Sequence, residues 1–255
     1  MAALSMARKR VLLAGESWVS AATHYKGFDA FGSVTYHRGA DGFIAALRDL
    51  PFDIVHMPSH VAQADFPSTM EGLRAYDAVL LSDIGANTLL LHPEVWLHSR
   101  PFPNRLRLLA DWVAAGGGLG MIGGYLSFQG INASACFRST PIEAALPVTI
   151  HPWDDRIEVP EGFHATPAAF NHPLLAGVMG EWPVMLGLNE VAAKPGATLL
   201  ATGPDNHPLL VTGTHGAGRT LAWTTDIGPH WLPDAALAWP GFVPLWGNLL
   251  GWLAG

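Results

Sequence analysis

The sequence has few cysteines, few charged residues and no long hydrophobic run. Its 255 residues include one cysteine, Cys136, so an intramolecular disulfide is excluded and a reducing compartment is indicated. Charged residues make up 14%, and the net charge of −7 argues against nucleic acid as a partner. The apolar run at positions 11–15, behind a basic N-terminus, is too short for a signal sequence or a membrane span. We therefore expect a cytoplasmic protein that does not bind membranes.

Apolar residues are abundant by contrast, at 49% of the chain, which is enough for a large core. In the first half of the chain, short apolar runs alternate with segments that carry apolar residues at helical spacing. This alternation predicts a doubly wound, mostly parallel sheet with helices on both faces, an α/β fold. The predicted strands are 10–15, 53–57, 76–82 and 119–122, and the predicted helices are 42–49 and 104–115.

The second half is richer in strands than in helices. We predict strands at 148–160, 197–202, 207–212 and 219–225, where the last two flank a glycine-rich hairpin turn, and a closing helix at 242–253. Repeats, coiled coils and low-complexity linkers are not visible in the sequence. We therefore expect residues 1–255 to form one domain with an additional β-rich C-terminal half.

The glycine-rich run from Gly116 to Gly130, GGGLGMIGGYLSFQG, is typical of a strand followed by a sharp turn. Enzymes that present a nucleophile on such a turn carry it between glycines, in the pattern Gly-x-nucleophile-x-Gly. The middle position of that pattern is Ile122 here, and Gly123 follows it. The sequence thus predicts an elbow that has lost its nucleophile.

Polar residues follow four of the predicted strands, where ligands of open parallel sheets bind. Among them, His230 is the candidate general acid or base, with Glu16 or Asp226 as its carboxylate partner. The spacings typical of zinc ligands are missing, so we predict neither a metal nor a cofactor. The residues expected to bind the ligand are His24, Lys26, Asp83, Asn87, Tyr125, Ser127 and Gln129.

Six motifs spread along the chain resemble the class I glutamine amidotransferase-like superfamily, and most closely its branch of functionally uncharacterised cytoplasmic proteins. The resemblance implies a flavodoxin-like sheet with a pocket at the elbow. The motifs are GESW (15–18), THYKGFD (23–29), SDIGANTLLL (82–91), the glycine-rich run (116–130), DDRIEVPEG (154–162) and TTDIGPHW (224–231).

In amidotransferases of this superfamily, the elbow cysteine attacks the side-chain amide of glutamine, and a histidine with a carboxylate partner activates it. The resemblance places His230 after the strand that carries that histidine. Because Ile122 and Gly123 occupy the elbow, we do not expect glutamine hydrolysis by this route. A weaker similarity to the trehalose-utilisation-like branch, which ends in a similar strand-Gly-His segment, implies a carbohydrate-like ligand.

Three functional hypotheses follow from the sequence. The first is a protein without a nucleophile that binds or transforms a small polar, sugar-derived metabolite, with a hydrolase- or lyase-type activity if it is an enzyme. The second is an amidohydrolase or amidotransferase that uses Cys136, and the third is a non-enzymatic assembly subunit. The expected partner is a small molecule, and a homo-oligomer is left open.

Overall fold

The computed structural model describes residues 8–255. The seven residues before them, part of the basic N-terminus in which we expect no signal sequence, lie outside the described part. The strands in chain order are β1 (Lys9–Gly15), β2 (Ser17–Lys26), β3 (Asp29–Arg38), β4 (Phe52–Met57), β5 (Ala78–Ser82), β6 (Gly118–Ile122), β7 (Val148–Ile150), β8 (Arg156–His164), β9 (Thr166–Pro167), β10 (Val184–Asn189), β11 (Val191–Ala193), β12 (Thr198–Thr202), β13 (Pro208–His215) and β14 (Gly218–Trp223).

One eight-stranded sheet contains strands from both halves of the chain, in the order β4-β1-β5-β6-β14-β13-β12-β9. The first five strands of that order are parallel, and the last three continue it in antiparallel fashion. Numbered along the chain, the five parallel strands have the order 2-1-3-4-5 that defines the flavodoxin-like fold. The predicted α/β class with a mostly parallel sheet is confirmed.

Helices cover both faces of this sheet. Apolar residues of α1 and α8 join the core on one face, and those of α2, α3, α4, α6 and α7 join the core on the other. None of the helices within residues 8–255 is long and apolar enough to cross a membrane. The helices are α1 (Ala40–Leu47), α2 (Ser59–Asp65), α3 (Met70–Leu73), α4 (Ala86–Leu90), α5 (Pro93–Trp96), α6 (Arg105–Ala114), α7 (Pro141–Ala145) and α8 (Phe242–Ala254).

The central strands are apolar along their whole length because both of their sides are buried. In β1, Val11 and Leu13 belong to the core beneath α1 and α8, whereas Leu12 and Ala14 belong to the opposite core. All four side chains have no exposed surface. This two-sided burial explains why the sequence shows continuous apolar runs here and not an alternation of polar and apolar residues.

Two predicted features of the chain differ in the structure. The single strand predicted over 148–160 is two strands, β7 and β8, which pair with different partners and are separated by a bend at Pro152 and Trp153. Residues 17–38, for which the sequence predicts neither strand nor helix, form the antiparallel hairpin of β2 and β3. That hairpin is a separate two-stranded sheet, and we call it the arm.

Candidate functional site

The chain order of the parallel strands reverses between β1 and β5, so their carboxyl ends flank the crevice in which ligands of such sheets bind. Glu16 follows β1 in the left-handed conformation, with φ +50°, and its amide donates to the Ser82 carbonyl oxygen at 2.7 Å. Gly15 before it has φ +107°, and a Cβ there would lie 1.9 Å from the same oxygen. Glycine at this position therefore allows the turn that places the Glu16 carboxyl in the crevice.

Asp83 follows β5 in a similar left-handed conformation, with φ +43°. Its backbone amide donates to Ser127 Oγ at 3.1 Å, and its carboxylate oxygen Oδ1 accepts the Leu126 amide at 2.7 Å. Both partners belong to the glycine-rich run after β6. Ser127 is buried and acts here on Asp83, so the run that the sequence singled out positions a carboxylate from the neighbouring strand.

Asp226 lies just beyond β14 and is buried, like Glu16. Its Oδ1 accepts two backbone amides, from Ile227 at 2.7 Å and from Gly228 at 3.2 Å. Ser82 Oγ donates to Glu16 Oε2 at 2.6 Å. Three strand ends thus bring three carboxyl groups together, and we call Glu16, Asp83 and Asp226 the carboxyl cluster.

Burial raises the pKa of every carboxyl in this cluster, and repulsion by neighbouring carboxylates adds to the rise at Glu16 and Asp226. The pKa of Glu16 rises to about 8, first through burial and then through the charge of Asp83, against the opposing hydrogen bond from Ser82. Burial, followed by the charges of Glu16 and Asp83, holds the pKa of Asp226 well above its usual range. The cluster therefore keeps at least one proton at neutral pH, so it can act as an acid where ordinary carboxyls are ionised.

His230 is exposed beside the cluster and is held by aromatic rings. Its ring stacks on Tyr125 with centroids 4.5 Å apart and meets Trp18 at 5.6 Å. Burial raises the pKa of Asp83, whereas the Leu126 amide and His230 lower it, so His230 favours the ionised form of this carboxyl. The pairing of His230 with Glu16 or Asp226 stays a prediction, and the pKa of Asp83 is the one that the charge of His230 lowers.

A cavity of about 560 Å³ lies beside the cluster. Gly39 and Gly228 separate it from Glu16: a Cβ at Gly39 would lie 2.4 Å from Glu16 Oε1, and one at Gly228 would lie 3.5 Å from it. The absence of side chains at both positions leaves only backbone between the cavity and this carboxyl. The lining residues are Trp18, Tyr36, His37, Arg38, Gly39, Gly42, Ile227, Gly228, Pro229, Asp234 and Leu237.

A family model described as "Putative glutamine amidotransferase" matches residues 10–255 of the chain. The chain belongs to this family. It is also similar to two solved structures from Salmonella typhimurium, whereas no curated protein matches it. Cytoplasmic protein STM3548 is 40% identical, with 95% of this chain and 98% of that chain covered and a TM-score of 0.92. Cytoplasmic protein STM1381, from strain LT2, is 41% identical over 96% and 99% of the chains, with a TM-score of 0.91.

The glycine-rich turn predicted as the elbow follows β6, and its ordered backbone is held by other parts of the chain. Ile122 is the last residue of β6 and is fully buried in the core. Gly124 is the first residue after β6 with a positive φ, at +143°, and Asn189 clamps it through its amide and its carbonyl. The residues that directly follow a parallel strand in the left-handed conformation are Glu16 and Asp83. Sharp turns at the ends of β1 and β5 therefore carry carboxyl groups.

The lone cysteine lies in the loop that follows the glycine-rich run. Cys136 is exposed, and its thiol donates to the Ala133 carbonyl oxygen at 3.4 Å. Gln129, predicted to bind the ligand, donates its side-chain amide to the same carbonyl and accepts the Arg138 amide at 3.3 Å. Both side chains are therefore engaged with the backbone of their own loop.

Two other predicted ligand residues lie on the arm, and a third lies on α4. His24 and Lys26 are exposed on β2, toward the end of the arm, where His24 Nε2 and Ser33 Oγ are 2.9 Å apart. Asn87 is exposed in the first turn of α4. Their ligand-binding role stays a prediction. Within residues 8–255, groups of three or more His, Cys, Asp or Glu side chains suited to a metal ion do not occur.

A buried polar network behind the site was not predicted from the sequence. Asp155 accepts the amides of Gln129 and Gly130, each at 2.8 Å, and the side-chain amide of Asn189 at 2.8 Å. The network holds the glycine-rich run against β10. A signal for it was present, because the acidic pair at 154–155 follows an apolar strand, but its partners are distant in sequence.

Proposed function

We propose that this protein is an amidotransferase-like enzyme without the elbow nucleophile, which transforms a small polar, sugar-derived metabolite by acid–base chemistry of hydrolase or lyase type. The observation that carries the proposal is the carboxyl cluster, whose raised pKa values leave a proton available at neutral pH beside a cavity. Perturbed titratable groups that converge at a cavity are typical of catalytic sites.

We assign each residue a role from its pKa shift, its burial and its contacts. Glu16, with a pKa of about 8, is the proposed proton donor, and Asp226 shares its buried environment. His230 is exposed and is the proposed base, with Asp83 as the neighbouring carboxyl whose pKa it lowers. Tyr125 stacks on His230 and orients its ring. Ser127 holds Asp83 and so acts through it.

Aromatic rings in and beside the cavity support a sugar-like ligand. Trp18, Tyr36 and His37 line it, and flat rings of this kind pack against the apolar faces of sugars while polar groups bind the hydroxyls. Arg38 and Asp234 add one positive and one negative side chain to the lining. We therefore expect neutral sugars and sugar acids to bind to this cavity better than amino acids and amides.

A thermal-shift screen tests this function without assuming a reaction. A ligand that binds only the folded state raises the melting temperature by mass action. We expect sugars or sugar acids to raise it for the wild-type protein, and His230→Ala to lose most of that shift. His98→Ala, at an exposed histidine distant in sequence from His230, is the control and should keep the full shift in melting temperature.

Two outcomes would contradict the proposal. One is a screen in which sugars and sugar acids leave the melting temperature unchanged while amides raise it. The other is a ligand whose shift is the same in His230→Ala as in the wild-type protein. Glu16→Gln separates binding from chemistry: it keeps the ligand-induced shift and lowers turnover of the compound that binds, because glutamine cannot donate a carboxyl proton.

We also infer that the protein works in the cytoplasm, since two relatives about 40% identical over nearly their whole length are named cytoplasmic proteins. Residues 1–255 are proposed to form one domain, because the central sheet takes strands from both halves of the chain.

The alternative of an amidotransferase that uses Cys136 gains no support. The Cys136 thiol is exposed and is hydrogen-bonded to the backbone of its own loop.

A further inference from the structure

The arm is the most exposed regular element of the described chain. Its two ten-residue strands pair only with each other, in register from Ser17 opposite Arg38 to Lys26 opposite Asp29. At about 3.3 Å per residue, each strand extends over roughly 33 Å. Beyond its first two residues every position of β2 is exposed, and β3 is exposed except at His37.

One face of the arm is apolar and carries no charge beyond its base, where Arg38 lies opposite Ser17. Val19, Tyr25 and Val34 on this face are 60%, 77% and 73% exposed. The charged residues of the arm, Lys26, Asp29 and Arg38, lie at its tip and its base. The pairing register places on the apolar face Val19, Ala21, Thr23 and Tyr25 of β2 and Ala30, Gly32, Val34 and Tyr36 of β3.

Such an arm is not stable by itself in water. An isolated two-stranded hairpin is marginal at best, and three strands or a packed face are needed for independent stability. Both strands of the arm are also open edges, with backbone groups that remain free to pair. A long, uncharged edge of this kind leads to aggregation unless something covers it. The apolar face therefore needs a partner that is always present.

We propose that the apolar face of the arm is the interface of a homodimer, in which it packs against the same face of a second copy of this chain. A copy of the same chain is present whenever the protein is made. Four residues of each strand, from Val19 to Tyr25 and from Ala30 to Tyr36, form this face without a charged side chain among them. Depletion of charge is the compositional mark of such interface cores.

The self-contact is allowed by symmetry. In a two-fold dimer the same patch serves both partners, so Val34 and its neighbours meet their own counterparts. A neutral patch meets a neutral patch, and the charges at the tip and base stay at the rim. Trp18, Tyr36, His37 and Arg38 at the base of the arm line the cavity, so dimerisation also fixes one wall of the proposed site.

Sedimentation velocity at micromolar concentrations tests the proposal with a matched pair of variants. We expect the wild-type protein to sediment with twice the 27.2 kDa mass of the chain. Val34→Asp places like charges against each other at the interface and is expected to raise the dimer Kd at least about 100-fold. Thr35→Asp puts the same charge at the adjacent position, whose side chain lies on the opposite face of the arm. This variant should leave the dimer intact.

Ala21→Asp, on the same face and directly opposite Val34, is expected to dissociate the dimer as well. Far-UV circular dichroism shows whether each variant keeps its folded body. A wild-type monomer would overturn the proposal, and so would dimers that resist both Val34→Asp and Ala21→Asp. Dissociation by Thr35→Asp alone would also overturn it, because the contact would then use the other face. These readouts need no ligand and are independent of the proposed chemistry.

Discussion

At the scale of single residues, the site depends on two carboxylates in a backbone conformation that L-residues seldom adopt. Glu16 and Asp83 both have φ between 40° and 50° and both directly follow a buried parallel strand. A non-glycine residue there costs about 1–2 kcal/mol, which the surrounding fold must offset. Residues held in this way are concentrated at functional sites. The conformation aims both carboxyls into the crevice between β1 and β5.

The raised pKa of Glu16 makes stability depend on pH in a direction opposite to that of most carboxyls. The unfolded chain releases this proton near pH 4.5, whereas the folded protein holds it up to about pH 8. Between these values the folded state binds more protons, so the free energy of unfolding falls as the pH rises, by up to about 1.4 kcal/mol per pH unit.

Urea denaturation at several values from pH 5 to pH 8 measures this dependence. We expect Glu16→Gln to remove much of the decline, because glutamine does not titrate. Asp65→Asn, at an exposed carboxyl of α2, is the control and should decline as the wild-type protein does. A slope that is identical in the wild-type protein and Glu16→Gln would show that Glu16 does not hold its proton through this range.

At the scale of elements, the loop that follows β6 owes its shape to a buried acid on another part of the chain. Six residues between positions 128 and 139 have positive φ, so local preference does not favour this path. Asp155 compensates by accepting the amides of Gln129 and Gly130 and the side chain of Asn189. The same loop presents Tyr125, which stacks on His230, so the buried network supports the site from behind.

Removal of that acid tests the dependence. Asp155→Ala leaves buried donors without an acceptor and is expected to lower the free energy of unfolding by at least about 2 kcal/mol. Hydrogen exchange of the loop at 123–140 should also become faster. Asp154→Ala, at the more exposed neighbouring aspartate paired with Arg156, should cost less than about 1 kcal/mol. Equal losses in the two variants would refute the special role of Asp155.

At the scale of the whole molecule, the flavodoxin-like strand order decides where the candidate site lies. Its reversal between β1 and β5 opens a crevice at their carboxyl ends, and the carboxyl cluster occupies that crevice together with the end of β14. The cavity lies on the same side, between the base of the arm and the loop after β14. A cavity of about 290 Å³ at the opposite ends of β5 and β6 has none of these groups.

The proposed dimer has a consequence for the stability of the whole molecule. If folding and association are coupled, the melting temperature of the wild-type protein rises with protein concentration, because dilution favours dissociated chains. We expect this rise over a range from about 1 to 100 µM, and we expect Val34→Asp to melt at the same temperature throughout. Differential scanning calorimetry at several concentrations measures it. A wild-type melting temperature independent of concentration would contradict the coupling.

Much of the fold could be predicted from the sequence because the central strands are apolar on both sides. The runs predicted for β1, β4, β5 and β6 match the structure within about two residues, and α6 and α8 match equally well. The arm could not be predicted, because its residues do not pack against the core and buried positions do not alternate with exposed ones along its strands. The strand predicted at 148–160 was wrong because residues 151–155, with a bend at Pro152 and Trp153, interrupt it.

The sequence by itself determined the α/β class and the family, because apolar runs and glycine spacing are local properties. Only the tertiary structure decided which polar residues meet. Glu16, Asp83 and Asp226 are separated by up to 210 positions and come together through strand order, which no local pattern encodes. Their raised pKa values and the exposed face of the arm likewise depend on burial, and burial is a property of the folded whole.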